Sequence, residues 1–281
     1  MKVGTYKLSL IDAGRFRLDG GAMYGVVPKV MWSGKNTVDE KNRIAMSTNL
    51  LLIQDKQRRI LVDAGIGDKY DEKFKNIFAV DHSQYNLDSA LQKIKLTVDD
   101  ITDVILTHLH FDHAGGATKK DRNDDVIPTF PNAKYYVQKE QLEWAKNPSP
   151  KDRASYFNEN YLPLEENGQL VVLERAIEIF PGIELIKVNG HTPSQQLVLI
   201  KGRPSMLFAA DLIPMASHIP IPWVMAYDLY PMQTLEEKKI VLQRAVKEKW
   251  LIFFEHDPQI QCGELRKTEK DFALKEIIRI D

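Results

Sequence analysis

The sequence of 281 residues predicts an α/β domain in which two β-sheets pack against each other and helices cover their outer faces. Short apolar runs rich in Val and Ile recur along the chain between turn formers, which is typical of buried strands. Some runs follow one another directly and others alternate with helical stretches, which favours two sheets over one doubly wound sheet. Because no linker rich in Ser, Gly or Pro divides the chain, we expect a single domain over residues 1–281.

The individual elements follow from these patterns. Strands are predicted at Leu8–Ile11, Asn49–Ile53, Ile60–Val62, Val104–Leu106, Ile183–Val188, Gln196–Ile200, Met206–Ala209 and Leu251–Phe254. Helices are predicted at Leu87–Ile94, Lys139–Lys146 and Thr234–Lys249. Thr97 followed by Asp100 resembles a capping box, which indicates a short helical turn before the strand that contains Val104.

Composition and charge narrow the class of function. Lys and Arg number 38 against 39 Asp and Glu, and no basic stripe is evident. This balance argues against a nucleic-acid enzyme and favours small electroneutral substrates. Cys262 is the only cysteine, which excludes an intramolecular disulfide. The N-terminal stretch is too polar for a signal peptide and no apolar run reaches membrane-spanning length, so we expect a cytoplasmic protein without a membrane partner.

Two irregular segments, residues 20–43 and 214–231, interrupt the pattern of strands and helices. Both are rich in Gly or Pro and also carry large Met, Trp and Tyr side chains. The aromatic content argues against disorder, so we predict that both segments are loops that wall a pocket. The alternative is that they only cover the core or form a contact between the subunits of a homodimer.

The stretch 107–116 carries the strongest chemical signal. It follows a predicted strand and contains His108, His110, Asp112 and His113 within six residues. Such a cluster is costly to bury without polar partners, whereas imidazole and carboxylate together suit zinc and similar divalent metals. His108 and His110 are two residues apart on an extended backbone, so their rings can point toward one metal. Asp112 and His113 then fall where the chain turns and can face a second metal.

Three further residues of ligand type follow predicted buried strands elsewhere in the chain. His191 lies in a Gly-His-Thr stretch just after Ile183–Val188, Asp211 ends the run that starts at Met206, and His256 follows Leu251–Phe254. Sites in α/β proteins gather at strand ends. We therefore predict that these residues complete the metal site.

The order HxHxDH, GHT, a strand-terminal Asp and a late His resembles the metallo-β-lactamase superfamily. The resemblance implies a four-layer αβ/βα sandwich with a two-metal site. It implies that His108, His110 and His191 bind one metal ion, that Asp112, His113 and His256 bind the other, and that Asp211 bridges the two. Asp63 matches an early aspartate of that family that supports the ligands without binding metal.

The same site suggests a mechanism. A hydroxide that bridges the two metal ions attacks an ester carbonyl, Asp112 carries a proton to the leaving oxygen, and Asp211 fixes the distance between the ions. Asp112 and Asp211 are thus the predicted catalytic residues. Zn²⁺ is the expected metal, with Mn, Fe and Co as alternatives.

Within the superfamily, the segments Gly20–Lys29 and Pro220–Asp228 resemble those of quorum-quenching N-acyl-homoserine lactone lactonases. The resemblance implies a small lactone as substrate. A phosphotriesterase and a glyoxalase II-like thioesterase stay open, because they share the metal ligands and differ in pocket shape. A redox enzyme or a non-catalytic binding module is less expected, since the chain has no flavin partner domain and every ligand is present.

The residues that contact the substrate are predicted from the two irregular segments. Well-studied lactonases have a tyrosine three residues after the bridging aspartate, but this sequence has Pro214 there. Tyr24, His218 and Tyr227 are candidates to replace that tyrosine. Trp32 and Trp223 are predicted to line the pocket with them.

Overall fold

Two seven-stranded β-sheets form the centre of the computed structural model, which describes residues 1–175 and 177–280. Ala176 and Asp281, which fall inside the predicted domain 1–281, lie outside the described residues. The strands are β1 Lys2–Val3, β2 Tyr6–Asp19, β3 Arg43–Gln54, β4 Arg59–Val62, β5 Asp103–Ile105, β6 Thr118–Lys120, β7 Val126–Pro128, β8 Lys134–Gln138, β9 Leu170–Leu173, β10 Glu178–Phe180, β11 Ile183–Val188, β12 Gln195–Ile200, β13 Met206–Phe208, β14 Leu251–Phe253, β15 Cys262–Lys267 and β16 Phe272–Ile277.

Helices connect these strands. The α-helices are α1 Gly20–Tyr24, α2 Lys29–Trp32, α3 Glu72–Phe78, α4 Leu87–Lys93, α5 Phe111–Ala114, α6 Lys139–Lys146, α7 Leu162–Glu166 and α8 Pro231–Glu248. Short 3₁₀ turns occupy Val98–Asp100, Gly115–Ala117, Arg153–Ser155, Asn158–Asn160, Ala210–Leu212 and Ala216–His218. In the described part of the chain, no helix is long and apolar enough to cross a membrane.

The strand order of the first sheet is β1-β2-β3-β4-β5-β8-β9, and that of the second is β10-β11-β12-β13-β14-β15-β16. Strands β4, β5, β8 and β9 run parallel to one another, and so do β13 and β14. The other pairs in both sheets are antiparallel, and β6 and β7 form a separate hairpin. Parallel neighbours end at the same edge of a sheet, so the residues that follow them in sequence come close together.

The packing of β3 explains why its sequence is a continuous apolar run. Leu51 and Ile53 belong to the core between the two sheets, whereas Leu50 and Leu52 belong to the core under the helices that cover the first sheet. Successive side chains of a strand point to opposite faces, so a strand buried on both faces is apolar at every position. Helix α8 covers the second sheet, and the four layers of the predicted sandwich are confirmed.

The helix and strand predictions hold where the residue pattern is strong. Helix α6 has the predicted bounds, α8 starts three residues before Thr234 with Pro231 in its first turn, and Thr97 and Asp100 form the predicted capping box. Strands β2 and β3 run much further than Leu8–Ile11 and Asn49–Ile53, because their ends pair as an amphipathic ribbon in which polar and apolar residues alternate. Strand β15 and the edge strand β16 were missed for a similar reason, since most of their side chains are exposed or partly exposed.

Segment 20–43 is more regular than predicted, because it contains α1 and α2. Asp19 accepts a hydrogen bond from the backbone N–H of Ala22 and so caps α1. Three apolar side chains of this segment, Val26, Val30 and Met31, are 92%, 87% and 53% exposed. The homodimer contact expected at this segment stays a prediction.

Two glycines hold the loop after β5 against the loop after β4. The backbone N–H of Gly116 donates to the carbonyl oxygen of Gly65, and that of Ala64 donates to the carbonyl oxygen of His113. A Cβ on Gly116 would overlap the carbonyl oxygen of Ala64, and one on Gly115 would overlap that of Ile66. Only glycine permits this close approach of two backbones.

We predict that Gly116→Ala lowers the free energy of unfolding by about 2–3 kcal/mol, because the added methyl group forces the two loops apart. Gly34→Ala is the control, since the atom nearest to its added Cβ is 4.0 Å away, and we expect it to change stability by less than about 0.5 kcal/mol. Urea unfolding of both variants measures the difference. Equal stabilities would contradict the proposed contact.

Candidate metal centre

The residues of the predicted site follow the C-terminal ends of strands that share one edge of the sandwich. Asp63 follows β4, and His108 follows β5, the parallel neighbour of β4. Asp211 and His256 follow β13 and β14, which are also parallel neighbours. His191 follows β11, which runs in the same direction as β13 because β12 is antiparallel to both. The strand directions therefore bring residues that are far apart in sequence to one place.

The first cluster contains three imidazoles and one carboxylate. Nε2 of His108 lies 3.0 Å and Nε2 of His191 lies 3.2 Å from Nδ1 of His110. Oδ2 of Asp211 lies 3.1 Å from Nε2 of His191. All four ligand atoms fall within 4.8 Å of one another, and all four side chains are buried.

The second cluster lies beside the first and contains Asp112, His113 and His256, again with ligand atoms within 4.8 Å of one another. Nε2 of His256 is 3.1 Å from Nε2 of His113 and 3.6 Å from Oδ2 of Asp112. Asp211 connects the clusters, because its Oδ1 lies 3.2 Å from Nε2 of His256 while its Oδ2 faces His191.

This arrangement fits a divalent metal. Each imidazole turns one nitrogen toward its neighbours at hydrogen-bond distance, but so many nitrogens in one volume cannot all be paired as donor and acceptor. Oδ1 of Asp211 is buried and makes no well-oriented hydrogen bond with the described residues, although Nε2 of His256 lies 3.2 Å away. Imidazole nitrogens and carboxylate oxygens in this number are the donor set that zinc and similar ions take. The His/Asp clusters are thus metal-binding clusters.

On three of the histidines, the ring nitrogen that faces away from the clusters lies at hydrogen-bond distance from an oxygen atom of the protein. Nδ1 of His191 is 2.9 Å from Oδ1 of Asp228, and Nδ1 of His256 donates to the carbonyl oxygen of Ser47 at 2.9 Å. Nδ1 of His113 lies 3.1 Å from Oδ2 of Asp63 and 3.0 Å from Oε2 of Glu255. Such partners fix the ring and its tautomer.

Asp63 itself is well anchored. The backbone N–H of Thr107 donates to its Oδ1 at 2.6 Å, and the hydroxyl of Thr107 donates to its Oδ2 at 2.7 Å. Asp63 has a φ of 60°, a left-handed conformation that non-glycine residues rarely adopt. Strain of this kind is often kept at functional sites, so its place behind a ligand agrees with the supporting role predicted for Asp63.

The sequence reasoning missed Asp228 and Glu255 as partners of ligand histidines. Glu255 precedes His256, so it was visible next to a predicted ligand. Asp228 lies in segment 214–231, 37 residues from His191, and nothing in the local sequence connects the two. Both carboxylates are buried.

A cavity of about 270 Å³ opens onto the two clusters. Its lining includes the ligands His110, Asp112, His191, Asp211 and His256, and its wall is largely apolar: Leu18, Met23, Met46, Phe78, Phe111, Met225 and Ala226. Tyr227 also lines the cavity. Segments 20–43 and 214–231 therefore both contribute to the wall.

Four predicted pocket residues lie outside the cavity lining. Tyr24, Trp32 and His218 are buried in a stack, with ring centroids 5.2 Å apart for Tyr24 and Trp32 and 4.7 Å apart for Tyr24 and His218. Trp223 packs edge-on against Tyr24 and lines a separate cavity beside Ser217. Large aromatic rings bury more surface by packing on one another than by facing an open pocket. These four residues therefore pack outside the cavity lining and support the residues that form it.

Residues 43–256 match the metallo-beta-lactamase superfamily. The chain belongs to this superfamily.

Several metallo-β-lactamase relatives cover almost the whole chain. The N-acyl homoserine lactonase of Bacillus cereus is 24% identical over 92% of this chain and 95% of its own length. The structure of a probable metal-dependent hydrolase from Staphylococcus aureus is 30% identical, with a TM-score of 0.88 over 99% of this chain and 100% of that chain. AidC, a dizinc quorum-quenching lactonase in complex with a product, is 22% identical and shares the fold with a TM-score of 0.81 over 100% of this chain and 97% of that chain. The chain is a metal-dependent hydrolase of the metallo-β-lactamase superfamily.

The charges of this metallo-β-lactamase site divide the histidines into two groups. Burial lowers the pKa of His108 and His110 well below the usual range, and neighbouring imidazoles lower it further. Burial also opposes charge on His191 and His256, but the Asp211 carboxylate raises the pKa of each to about 9. Burial raises the pKa of Glu255 to about 8. Without metal, protons on His191 and His256 thus balance the buried carboxylate.

We predict that metal affinity rises with pH between 6.5 and 8.5. A metal binds the deprotonated imidazole, so it must displace the protons that His191 and His256 hold up to a pKa of about 9. Raising the pH removes this competition, and affinity should increase by up to about tenfold per pH unit for each proton displaced. Competition titrations of the metal-free protein with zinc and a chromophoric chelator, corrected for the chelator's own protonation, measure the slope. A flat profile would contradict the assignment of these protons.

Asp228→Asn should lower zinc affinity by about tenfold to a hundredfold, because His191 loses the carboxylate that orients its ring. The control is Asp88→Asn, which removes an exposed carboxylate and should leave the affinity unchanged. The same chelator competition at pH 7.5 compares the two variants. Equal affinities in both variants and the unchanged protein would show that Asp228 does not position His191.

Proposed function

We propose that this hydrolase opens the lactone ring of N-acyl-homoserine lactones or closely related lactones, with two divalent metal ions, most suitably Zn²⁺, at its centre. The observation that carries the proposal is the position of two ligand clusters, joined by Asp211, at the floor of a largely apolar cavity.

The two clusters support a centre with two metal ions. His108, His110 and His191 have ligand atoms in one cluster, and Asp112, His113 and His256 have theirs in the other. The two carboxylate oxygens of Asp211 lie 3.1 Å from His191 and 3.2 Å from His256, one toward each cluster. A bridging carboxylate takes this position, so we assign Asp211 to hold both ions.

The cavity supports a substrate with a small polar head and an apolar tail. Its volume of about 270 Å³ is near the lower end of the range for small-molecule sites. The ligand clusters form its polar floor, and Met, Leu and Phe side chains form most of its wall. An acyl chain can pack against this wall while the lactone carbonyl faces the metal ligands.

The charges in the lining favour a neutral substrate. Besides the metal ligands, the charged residues of the lining are Lys151 and Asp152. Nζ of Lys151 donates to three backbone carbonyls, and the carboxylate of Asp152 accepts hydrogen bonds from Trp144 and Ser149. The hydrogen-bonding groups of both side chains are therefore occupied within the protein and are not free to bind an ionic group of a substrate.

The chemistry assigns roles to the residues around the cavity. Divalent ions held by the two clusters would supply a hydroxide nucleophile near neutral pH and would polarise the ester carbonyl. Asp112 lines the cavity, and we assign to its carboxylate the transfer of a proton to the ring oxygen that leaves. Among Tyr24, His218 and Tyr227, only Tyr227 lines the cavity, and burial raises the pKa of its phenol, which stays protonated and can donate a hydrogen bond to the substrate.

The relatives point to the same substrate class. Lactonases of Bacillus cereus and Bacillus thuringiensis that act on N-acyl homoserine lactones are 24% and 26% identical over most of their length. The structures of AidC and of an N-acyl homoserine lactone hydrolase hold a product N-acyl-homoserine. The substrates and products of these relatives support a small-molecule lactone as the substrate of this chain.

The test is a substrate panel on zinc-loaded protein with Asp211→Ala as the inactive control. The panel contains acyl-homoserine lactones of increasing chain length, simple γ- and δ-lactones, a phosphotriester and a thioester. We expect acyl-homoserine lactones to be cleaved fastest, with a dependence on chain length, and Asp211→Ala to lose at least about a thousandfold in kcat/KM together with bound zinc. Circular dichroism checks that the variant is folded.

Cleavage of the phosphotriester or the thioester with no turnover of lactones would overturn the substrate proposal. In that case the metal centre and the hydrolase class would remain. Full lactone turnover by Asp211→Ala would overturn the role of Asp211.

A further inference from the structure

Segment 214–231 lacks many of the backbone donors that a loop normally uses to hold its own carbonyl groups. Pro214, Pro220, Pro222 and Pro231 have no backbone N–H. Carbonyl oxygens in a packed segment nevertheless need donors. The described structure shows that two lysines from other parts of the chain supply them.

Lys238 binds the backbone of the first half of the segment from the protein interior. It lies on α8, and its side chain is fully buried. Nζ of Lys238 donates to the carbonyl oxygens of Pro220 at 2.9 Å, Ile221 at 3.3 Å and Trp223 at 2.7 Å. An ammonium group has three donors, and all three are used here.

Lys151 binds the backbone of the second half of the segment. It lies after α6 and is exposed. Nζ of Lys151 donates to the carbonyl oxygens of three successive residues, Ala226 at 2.8 Å, Tyr227 at 3.1 Å and Asp228 at 2.9 Å. The next residue, Asp152, is buried and accepts hydrogen bonds from Trp144 and Ser149, which fixes the backbone from which Lys151 extends.

The three residues held by Lys151 all belong to the candidate site. Ala226 and Tyr227 line the cavity, and Asp228 contacts Nδ1 of the ligand His191. The carboxylate of Asp228 also accepts a hydrogen bond from the backbone N–H of Met225, another residue of the cavity lining. A shift of this short stretch would therefore move the cavity wall and the partner of His191 together.

We propose that Lys151 is a positioning residue, whose ammonium group fixes residues 226–228 and thereby sets both the cavity wall and the orientation of His191. Lys238 fixes residues 220–223 in the same way. The effect of Lys151 on substrate binding rests on the proposed function, whereas its effect on the segment and on metal binding does not.

Because Lys151 is exposed, its replacement should leave the fold intact, and Lys151→Met is the main test variant. Lys146→Met is the matched control, since it removes a nearby exposed lysine whose ion pair in the described part of the chain is with the exposed Glu165. Lys151→Cys followed by aminoethylation restores an ammonium group at nearly the original length. The natural Cys262 is buried and is protected from the reagent in the folded protein.

We expect backbone hydrogen exchange of residues 225–230 in the zinc-loaded protein to speed up about tenfold or more in Lys151→Met, because three charge-assisted hydrogen bonds are lost. Exchange in β3 should stay unchanged. Zinc should dissociate several-fold faster, KM for the lactone should rise about fivefold to tenfold, and kcat should stay within about twofold. Lys146→Met should match the unchanged protein, and aminoethylated Lys151→Cys should recover slow exchange and low KM.

Unchanged exchange of residues 225–230 in Lys151→Met would overturn the proposal, as would aminoethylation that restores nothing. If exchange and zinc release change while no lactone is cleaved by any form of the protein, the positioning role stands and the proposed substrate is wrong. The two proposals can thus fail separately.

Discussion

The candidate site depends on one constraint, the burial of five imidazoles and two carboxylates in a single small volume at the edge where two sheets meet. A buried polar group without a partner costs about 1–3 kcal/mol, and an unpaired charge costs more. The protein reduces this cost from outside by hydrogen bonds to the far side of His113, His191 and His256. On the inner side, the nitrogens and carboxylate oxygens face one another, and a divalent cation bound there would balance them.

Rigid elements and loops have different tasks in this arrangement. The ligands follow strand ends, and their backbones are tied together across the two sheets, for instance by the hydrogen bond from Ser47 N–H to the carbonyl oxygen of His256. The irregular segments carry no metal ligand, but they form much of the cavity wall and supply Asp228. The positions of the candidate ligands are thus set by strands, while the shape of the pocket is set by loops that lysines from other parts of the chain hold in place.

Aromatic residues in the irregular segments serve mainly as a scaffold. Tyr24 stacks on Trp32 and His218, its hydroxyl bonds to Ser217 and Asn36, and none of these rings lines the cavity. The nearby Met23 lines the cavity in their place. A segment rich in aromatic side chains can therefore shape a pocket without offering those side chains to the substrate.

The sequence by itself determined the fold class and proposed a set of metal ligands whose side chains the fold brings together, because strands and ligand-type residues are marked by local patterns. Apolar runs mark strands, and a ligand such as His191 or Asp211 can be recognised by its type and its position at a strand end. Only the tertiary structure decided that Asp228 supports His191, that Lys151 reaches residues 226–228, and that Tyr227 rather than Tyr24 faces the cavity. These contacts join residues 37 or more positions apart, and their geometry depends on how the loops pack on the sheets. The spacing of residues along the sequence does not predict that packing.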